Sequence, residues 1–342
     1  MLAAVCITGC NEWTDVESVT IHEPEIADQN PELFAAYLND LRTYKASEHP
    51  ITIGWFDNRN KTSLGRADHL SMLPDSIDFV SLMKPDSLSQ YLRDEMEQVR
   101  NDKGTRFLLG MDFEKIRLIY DTKVAEREAA LAALEEEETP PPALPGFVEF
   151  LVDSVNQILP LVNRHDYDGI ILNYRGKSIL HMTNDERLLH TAYEKAFIGI
   201  AMDWHQRNPK QLVFFEGYPQ NLLDKSILEE CAYIIIPCSD AGNESKIDYN
   251  ILSAQEEGVP RDRFVISVEM PSLDKTDTKT GIWADGVTPA VSGAARRVAV
   301  NDEHQKIVGL GIRNVNNDYY HIARIYPLTR DAINSMNPSP KK

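Results

Sequence analysis

The sequence predicts a single-domain α/β protein, a closed (β/α)8 barrel, on three observations. Eight short apolar runs recur along the chain, stretches of helical spacing separate them, and 342 residues suits one barrel with loop insertions. Continuous apolar runs of this kind suit parallel strands covered by helices on both sides, where half-exposed hairpins would alternate. A doubly wound open sheet is the alternative, but no glycine-rich phosphate loop follows the first run.

The elements follow in order. Met1 to Cys10 (MLAAVCITGC) is apolar and uncharged and closes on Ile7-Thr8-Gly9-Cys10. That tetrapeptide resembles a lipobox, in which the cysteine is lipidated and becomes the mature N-terminus. Residues 1–10 are therefore expected to be a signal remnant and 11–30 a polar, acidic flexible leader. Such a leader is similar to the tether of Bacteroidetes surface lipoproteins, and anchoring through several acyl chains is stable. The barrel is expected over 31–335, with 336–342 as a tail. Pro31 to Lys45 carries Phe34, Tyr37, Leu38 and Leu41 at helical spacing.

The strand candidates are Ile51–Phe56, Phe79–Met83, Arg106–Met111, Gly169–Tyr174, Gln211–Phe215, Tyr233–Ile236, Phe264–Val268 and Lys306–Ile312. Helical patterns lie between them at Phe147–Val162, Asp185–Arg207 and Ile247–Glu257. Lys123 to Glu138 (KVAEREAALAALEEEE) predicts an exposed helix, stopped by Thr139-Pro140-Pro141-Pro142 and inserted between the third strand and its packing helix.

The formal charge of −18, from 53 acidic and 35 basic residues, repels phosphate backbones and argues against a nucleic-acid partner. No apolar run approaches the ~20 residues that a spanning helix needs. Cys231 and Cys238, if both lie along one strand, are roughly 23 Å apart at ~3.3 Å per residue, too far to bridge. Neither stands in a metal-ligand spacing, so both are expected to be packing residues and no cofactor or metal is expected.

The stretch that bears most on function is Tyr167-Asp168-Gly169-Ile170-Ile171-Leu172-Asn173-Tyr174-Arg175. In the fourth strand of a barrel it resembles the signature D-G-x-D-x-D-x-E of glycoside hydrolase family 18, the chitinase and endo-β-N-acetylglucosaminidase family. Asp168 and Gly169 match the start, and Ile170, Leu172 and Tyr174 match the intervening positions. Where the family carries Asp, Asp and Glu, this chain has Ile171, Asn173 and Arg175. Residues two apart on a strand share a face, so these three positions are expected to point into the barrel, with 175 at its C-terminal mouth.

In active members, the resemblance implies, the glutamate protonates the glycosidic oxygen and the preceding aspartate orients the N-acetyl group that acts as nucleophile. Arg175 has no proton to exchange near neutral pH. Asn173 can still hydrogen-bond an acetamido group, whereas Ile171 is simply apolar. The family's M-x-Y-D at the sixth strand aligns with Pro237-Cys238-Ser239-Asp240, so a serine stands where the tyrosine would stabilise the intermediate.

The expected function is thus that of a catalytically inactive surface lipoprotein of the outer membrane. It would capture N-acetylglucosamine-containing oligosaccharides, of N-glycan or mucin type, for an outer-membrane glycan uptake transporter. Candidate ligand contacts at strand C-termini are Trp55, Asp57, Asp112, Asn173, Tyr174, Arg175, Glu216, Tyr218, Asp240, Arg313 and Asn314. Phe56, Asn58 and Ser239 lie beside them, and Trp283 in the loop Lys275–Gly286 is expected to reach over the mouth. A structural alternative has Arg175 and Arg313 neutralising Asp57, Asp112 or Glu269. A second function, an active hydrolase, would use the displaced acids Glu216 or Glu269 if their carboxyls stand about 5–9 Å apart. A third, an interaction scaffold, predicts a plugged mouth in place of an open cleft.

Overall fold

The structure, a computed structural model, describes residues 29–135, 139–300, 305–321 and 323–338. The chain divides into two compact units, Met1–Asp40 and Leu41–Lys342. The described part of the first carries the beginning of α1 (Pro31–Ala46), where Phe34 and Tyr37 stack at 6.3 Å. Cys10 and the leader lie outside the described residues.

The second unit is a closed parallel barrel in the order β1 to β8, each strand hydrogen-bonded to the next and β8 to β1. The strands are β1 (Ile51–Phe56), β2 (Phe79–Leu82), β3 (Arg106–Asp112), β4 (Gly169–Tyr174), β5 (Leu212–Gly217), β6 (Tyr233–Pro237), β7 (Phe264–Glu269) and β8 (Ile307–Arg313). The eight-run reading therefore holds, with ends displaced by a residue or two. A parallel strand is buried on both faces, so its apolar run is unbroken.

Alternate side chains divide the core in two. Ile51, Ile53, Trp55, Phe79, Leu108, Ile171, Phe214, Ile235 and Val265 fill the barrel interior. The intervening residues, among them Phe56, Val80, Leu172 and Phe215, meet the helices outside. Phe79 and Phe214 meet edge to face at 4.9 Å in the interior layer.

The covering helices are α2 (Gln90–Lys103), α3 (Phe113–Ala132), α4 (Phe147–Ile158), α5 (Pro160–Arg164), α6 (Asn184–Glu194), α7 (Ile200–Arg207), α8 (Glu244–Ala254), α9 (Ala290–Ala299) and α10 (Pro327–Met336). Three differ from expectation by more than their ends, and one of them, the stretch expected over Asp185–Arg207, divides into α6 and α7 around a π-helical turn at Lys195–Gly199. The acidic helix expected to begin at Lys123 begins at Phe113, directly after β3. There the Asp112 carboxylate caps it by accepting from Lys115 N at 3.1 Å. The expected helix Phe147–Val162 is broken at Pro160, whose missing N–H removes a helical hydrogen bond and opens α5.

Cys231 and Cys238 are free and buried, as expected of packing residues. Burial pushes each thiol up to about 12, which leaves it inert at neutral pH. No helix among the described residues is long and apolar enough to cross a membrane.

Candidate functional site

The C-terminal ends of the strands surround a cleft of about 330 Å³. Its polar floor is built by register. Asp112 pairs with Asn173 between β3 and β4, Asn173 with Glu216 between β4 and β5, and Glu269 with Arg313 between β7 and β8. Side chains at matched inward positions on neighbouring strands come together, which brings residues distant in sequence to one surface. All five line the cleft, as do Trp55, Ser81 and Asn314.

The floor is organised around Arg313. Its guanidinium is paired with the Glu216 carboxylate, which is 2% exposed. It also lies over the Trp55 ring, 4.6 Å from the centroid. Trp55 fits there because β8 offers no side chain beneath it: a Cβ at Gly311 would stand 2.7 Å from the indole ring. Asn314, in the left-handed region at φ 53, donates to Glu269 Oε2 at 2.9 Å. A stack of indole, guanidinium and carboxylate thus occupies the middle of the mouth, with a second polar pair beside it.

One wall of the cleft is apolar, formed by Met111, Ile116, Ile119, Ile158 and Leu161 from β3, α3, α4 and α5. Because α3 starts without a loop, its first turns stand at the rim, where Ile119 is 51% exposed.

Several expected contacts lie elsewhere. Tyr174 is 1% exposed and faces the helices, since alternation along β4 sets it opposite Asn173. It packs edge to face on Phe113 at 5.0 Å, and its hydroxyl meets His190 Nδ1 at 3.3 Å. Burial first, and the Glu194 charge second, push that hydroxyl well above the usual phenol range.

Trp283 does not reach over the mouth. It is 8% exposed and packs on α9, where a Cβ at Gly293 would fall 2.1 Å from its ring. Arg175 is exposed and stands outside the cleft, its carbonyl accepting from Asn221 Nδ2 at 2.9 Å.

Asp57 is also outside the cleft, paired with Arg59 at 2.5 Å. Tyr218, Ser239 and Asp240 lie on the loops after β5 and β6 and do not line it either. Phe56 is fully buried against the helices, and Asn58 joins the loops after β1 and β2 by accepting from Lys84 N at 2.8 Å. Asp168 sits at the opposite end of β4 from the mouth. There it accepts from Phe107 N at 2.7 Å and pairs with Arg100 at 3.2 Å, joining β3 to β4.

Of the signature positions, Ile171 is in the barrel interior, Asn173 in the cleft and Arg175 beyond it. Arg313 does neutralise a buried acid, but the acid is Glu216, not Asp57, Asp112 or Glu269.

The sequence reading missed Ser81, Lys84, Asp86 and Lys115, which also line the cleft. Ser81 is the inward residue beside Trp55 in the β1–β2 register, so strand alternation would have identified it. Lys84 and Asp86 lie in a loop and Lys115 in the first turn of α3, and no local pattern marks them. Among the described residues, no group of three or more His, Cys, Asp or Glu side chains could hold a metal ion.

A protein-family model described as glycoside hydrolase family 18, BT1044-like, matches residues 14–335. No curated protein matches the sequence. Among solved structures, a selenomethionine form of BT1044 with a glutamate-to-glutamine substitution superposes with a TM-score of 0.60. Its identity is 18%, and the match covers 91% of this chain and 95% of that one. An endo-β-N-acetylglucosaminidase from Cordyceps militaris, in apo form, gives 0.59 at 15% identity, covering 89% and 96%. YKL-39, solved in the presence of chitooligosaccharides, gives 0.52 at 9% identity, covering 84% and 99%. At these identities the likenesses establish the barrel alone.

Proposed function

This chain belongs to glycoside hydrolase family 18, in its BT1044-like group, and from that membership we propose that it binds N-acetylglucosamine-containing glycans at the barrel mouth without cutting them. The observation that carries this reading is the fourth strand. The position where the resemblance implies a glutamate acid holds Arg175, exposed and outside the cleft, while Asn173 two residues earlier lines it.

The cleft retains recognition groups. The Asn173 amide offers donors and an acceptor to an acetamido group. The apolar wall at Ile116 and Ile119 suits a methyl or the bare face of a sugar ring. The chitooligosaccharides present with the YKL-39 structure support an oligosaccharide of this class.

One observation favours the hydrolase reading: Glu216 and Glu269 line the same cleft. They stand two strands apart, roughly 10 Å along the sheet at about 4.8 Å per strand. Each is engaged, Glu216 by Arg313 and Glu269 by Asn314. To protonate a leaving group, Glu216 would first have to leave its guanidinium. That engagement weighs for binding over cutting.

Calorimetry of the purified chain with chitotetraose tests the binding. Asn173→Ala should weaken affinity about threefold to tenfold, the loss of one or two neutral hydrogen bonds. Unchanged affinity would place the glycan outside the cleft.

The place of action follows from the leader. Lipidation at Cys10 would anchor the domain at the outer-membrane surface, where captured glycan passes to an uptake transporter. In the organism of origin, Cys10→Ser should move the protein from the membrane to the soluble fraction. Retention in the membrane fraction would remove the anchoring proposal.

A further inference from the structure

The loop joining β1 to β2 leaves the barrel mouth at Asp57 and carries a constellation that glycan binding does not use. Ser63 Oγ stands 2.8 Å from His69 Nε2, and His69 Nδ1 stands 2.5 Å from Glu95 Oε1 on α2. A carboxylate only accepts, so the hydrogen-bond network assigns the imidazole proton to Nδ1 and leaves the Nε2 lone pair facing Ser63. Glu95 is itself held, accepting from Leu70 N at 2.8 Å and Ser71 Oγ at 3.3 Å. Nucleophile, base and an acid that orients the base thus lie in sequence, each within hydrogen-bond reach of the next.

The surroundings suit a reactive hydroxyl. Ser63 is exposed, His69 and Glu95 are partly buried, and the Tyr91 ring lies tilted beside the imidazole, with centroids 5.8 Å apart. Two residues on, Gly65 is fully extended, with open space where a Cβ would stand. The Ser63 hydroxyl has a second acceptor in Gly65 O at 3.1 Å. That carbonyl can hold the proton only while His69 does not take it. Asn316, beyond β8, accepts from Asp57 N at 2.7 Å and donates to Ala67 O at 3.2 Å, which holds the loop on the rim of the mouth.

We propose that Ser63, His69 and Glu95 form a serine-nucleophile site that hydrolyses small O-acyl esters, of the kind carried by acylated sugar hydroxyls. Ser63 Oγ bonds to the ester carbonyl carbon as its proton passes to His69 Nε2. The bond from that carbon to the alcohol oxygen breaks, and the alcohol leaves with the proton from Nε2. Water then attacks the acyl-Ser63 carbonyl, giving its proton to Nε2, and the carboxylic acid leaves as Oγ recovers its hydrogen. Leu64 N–H donates to Asp68 Oδ2 at 2.8 Å and not into the space beside Ser63. Turnover is therefore slow, with the general base supplying about 10²–10⁴-fold. The choice of a sugar ester rests on the glycan reading; the hydrolysis itself does not.

The test uses the full chain with an alkyl fluorophosphonate and with p-nitrophenyl acetate. Mass spectrometry should place the phosphonate on Ser63, and ester hydrolysis should fall to the buffer rate in Ser63→Ala. His69→Gln should lose about 10²-fold or more, and Glu95→Gln should lose less. Circular dichroism melting of each variant separates chemistry from folding. Absence of label on Ser63, or hydrolysis unchanged in Ser63→Ala, overturns the proposal whatever the glycan calorimetry returns.

Discussion

Arg313→Ala is expected to cost the protein about 3–5 kcal/mol of stability, the range for removing one partner of a buried ion pair. The Glu216 carboxylate is 2% exposed and paired with Arg313. Without the guanidinium it becomes an uncompensated charge between β4 and β6. The same substitution uncovers Trp55, whose ring now lies under the guanidinium at 4.6 Å. Arg313→Lys keeps the charge but loses the planar fork and the stacking, so it should fall between wild type and alanine. Glu216→Gln should cost less than Arg313→Ala, because no bare carboxylate remains. Urea denaturation of the four proteins measures the order. A loss below about 1 kcal/mol in Arg313→Ala would mean that water reaches Glu216 and that the floor is not built on this pair.

Trp283→Ala should cost about 3–5 kcal/mol as well, as for other large buried aromatics, while leaving glycan affinity unchanged. The indole lies against the bare backbone of Gly293, with Arg296 5.7 Å from its ring. Removing it opens a cavity between α9 and the loop before it, and that loop is pinned through Ala284 N to Gly242 O at 3.0 Å. Denaturation and calorimetry on one variant separate the two roles. A tenfold loss of affinity with little change in stability would return Trp283 to the cleft.

The barrel was legible in the sequence because burial on both faces leaves each parallel strand as an unbroken apolar run, and β1 and β4 have the expected ends. Residues ending those runs were legible for the same reason: Trp55, Asp112, Asn173, Glu216, Glu269, Arg313 and Asn314 all line the cleft. Tyr174 also ends a run, but its parity puts it with Ile170 and Leu172 on the outer face of β4, against the helices.

What escaped depends on contacts distant in sequence. Nothing around Trp283 announces that Gly293 will receive its ring. Nothing in the loop after β2 marks Lys84 or Asp86 as rim residues. The start of α3 was hidden because Phe113 follows β3 directly, with no glycine, proline or other turn signal to separate strand from helix. The pairing of Arg313 with Glu216, three strands around the barrel, needs the closed sheet and has no sequence signature.

Product analysis at saturating ligand distinguishes a mouth that holds a glycan from one that hydrolyses it. Chitooligosaccharides and an N-glycan are incubated with the purified chain at concentrations where calorimetry shows the site filled, and the sugars are separated by mass. Quantitative recovery of the intact oligosaccharides is the expected result. Shorter products released by the wild-type chain and abolished by Glu216→Gln or Glu269→Gln would contradict it and establish those acids as the catalytic pair.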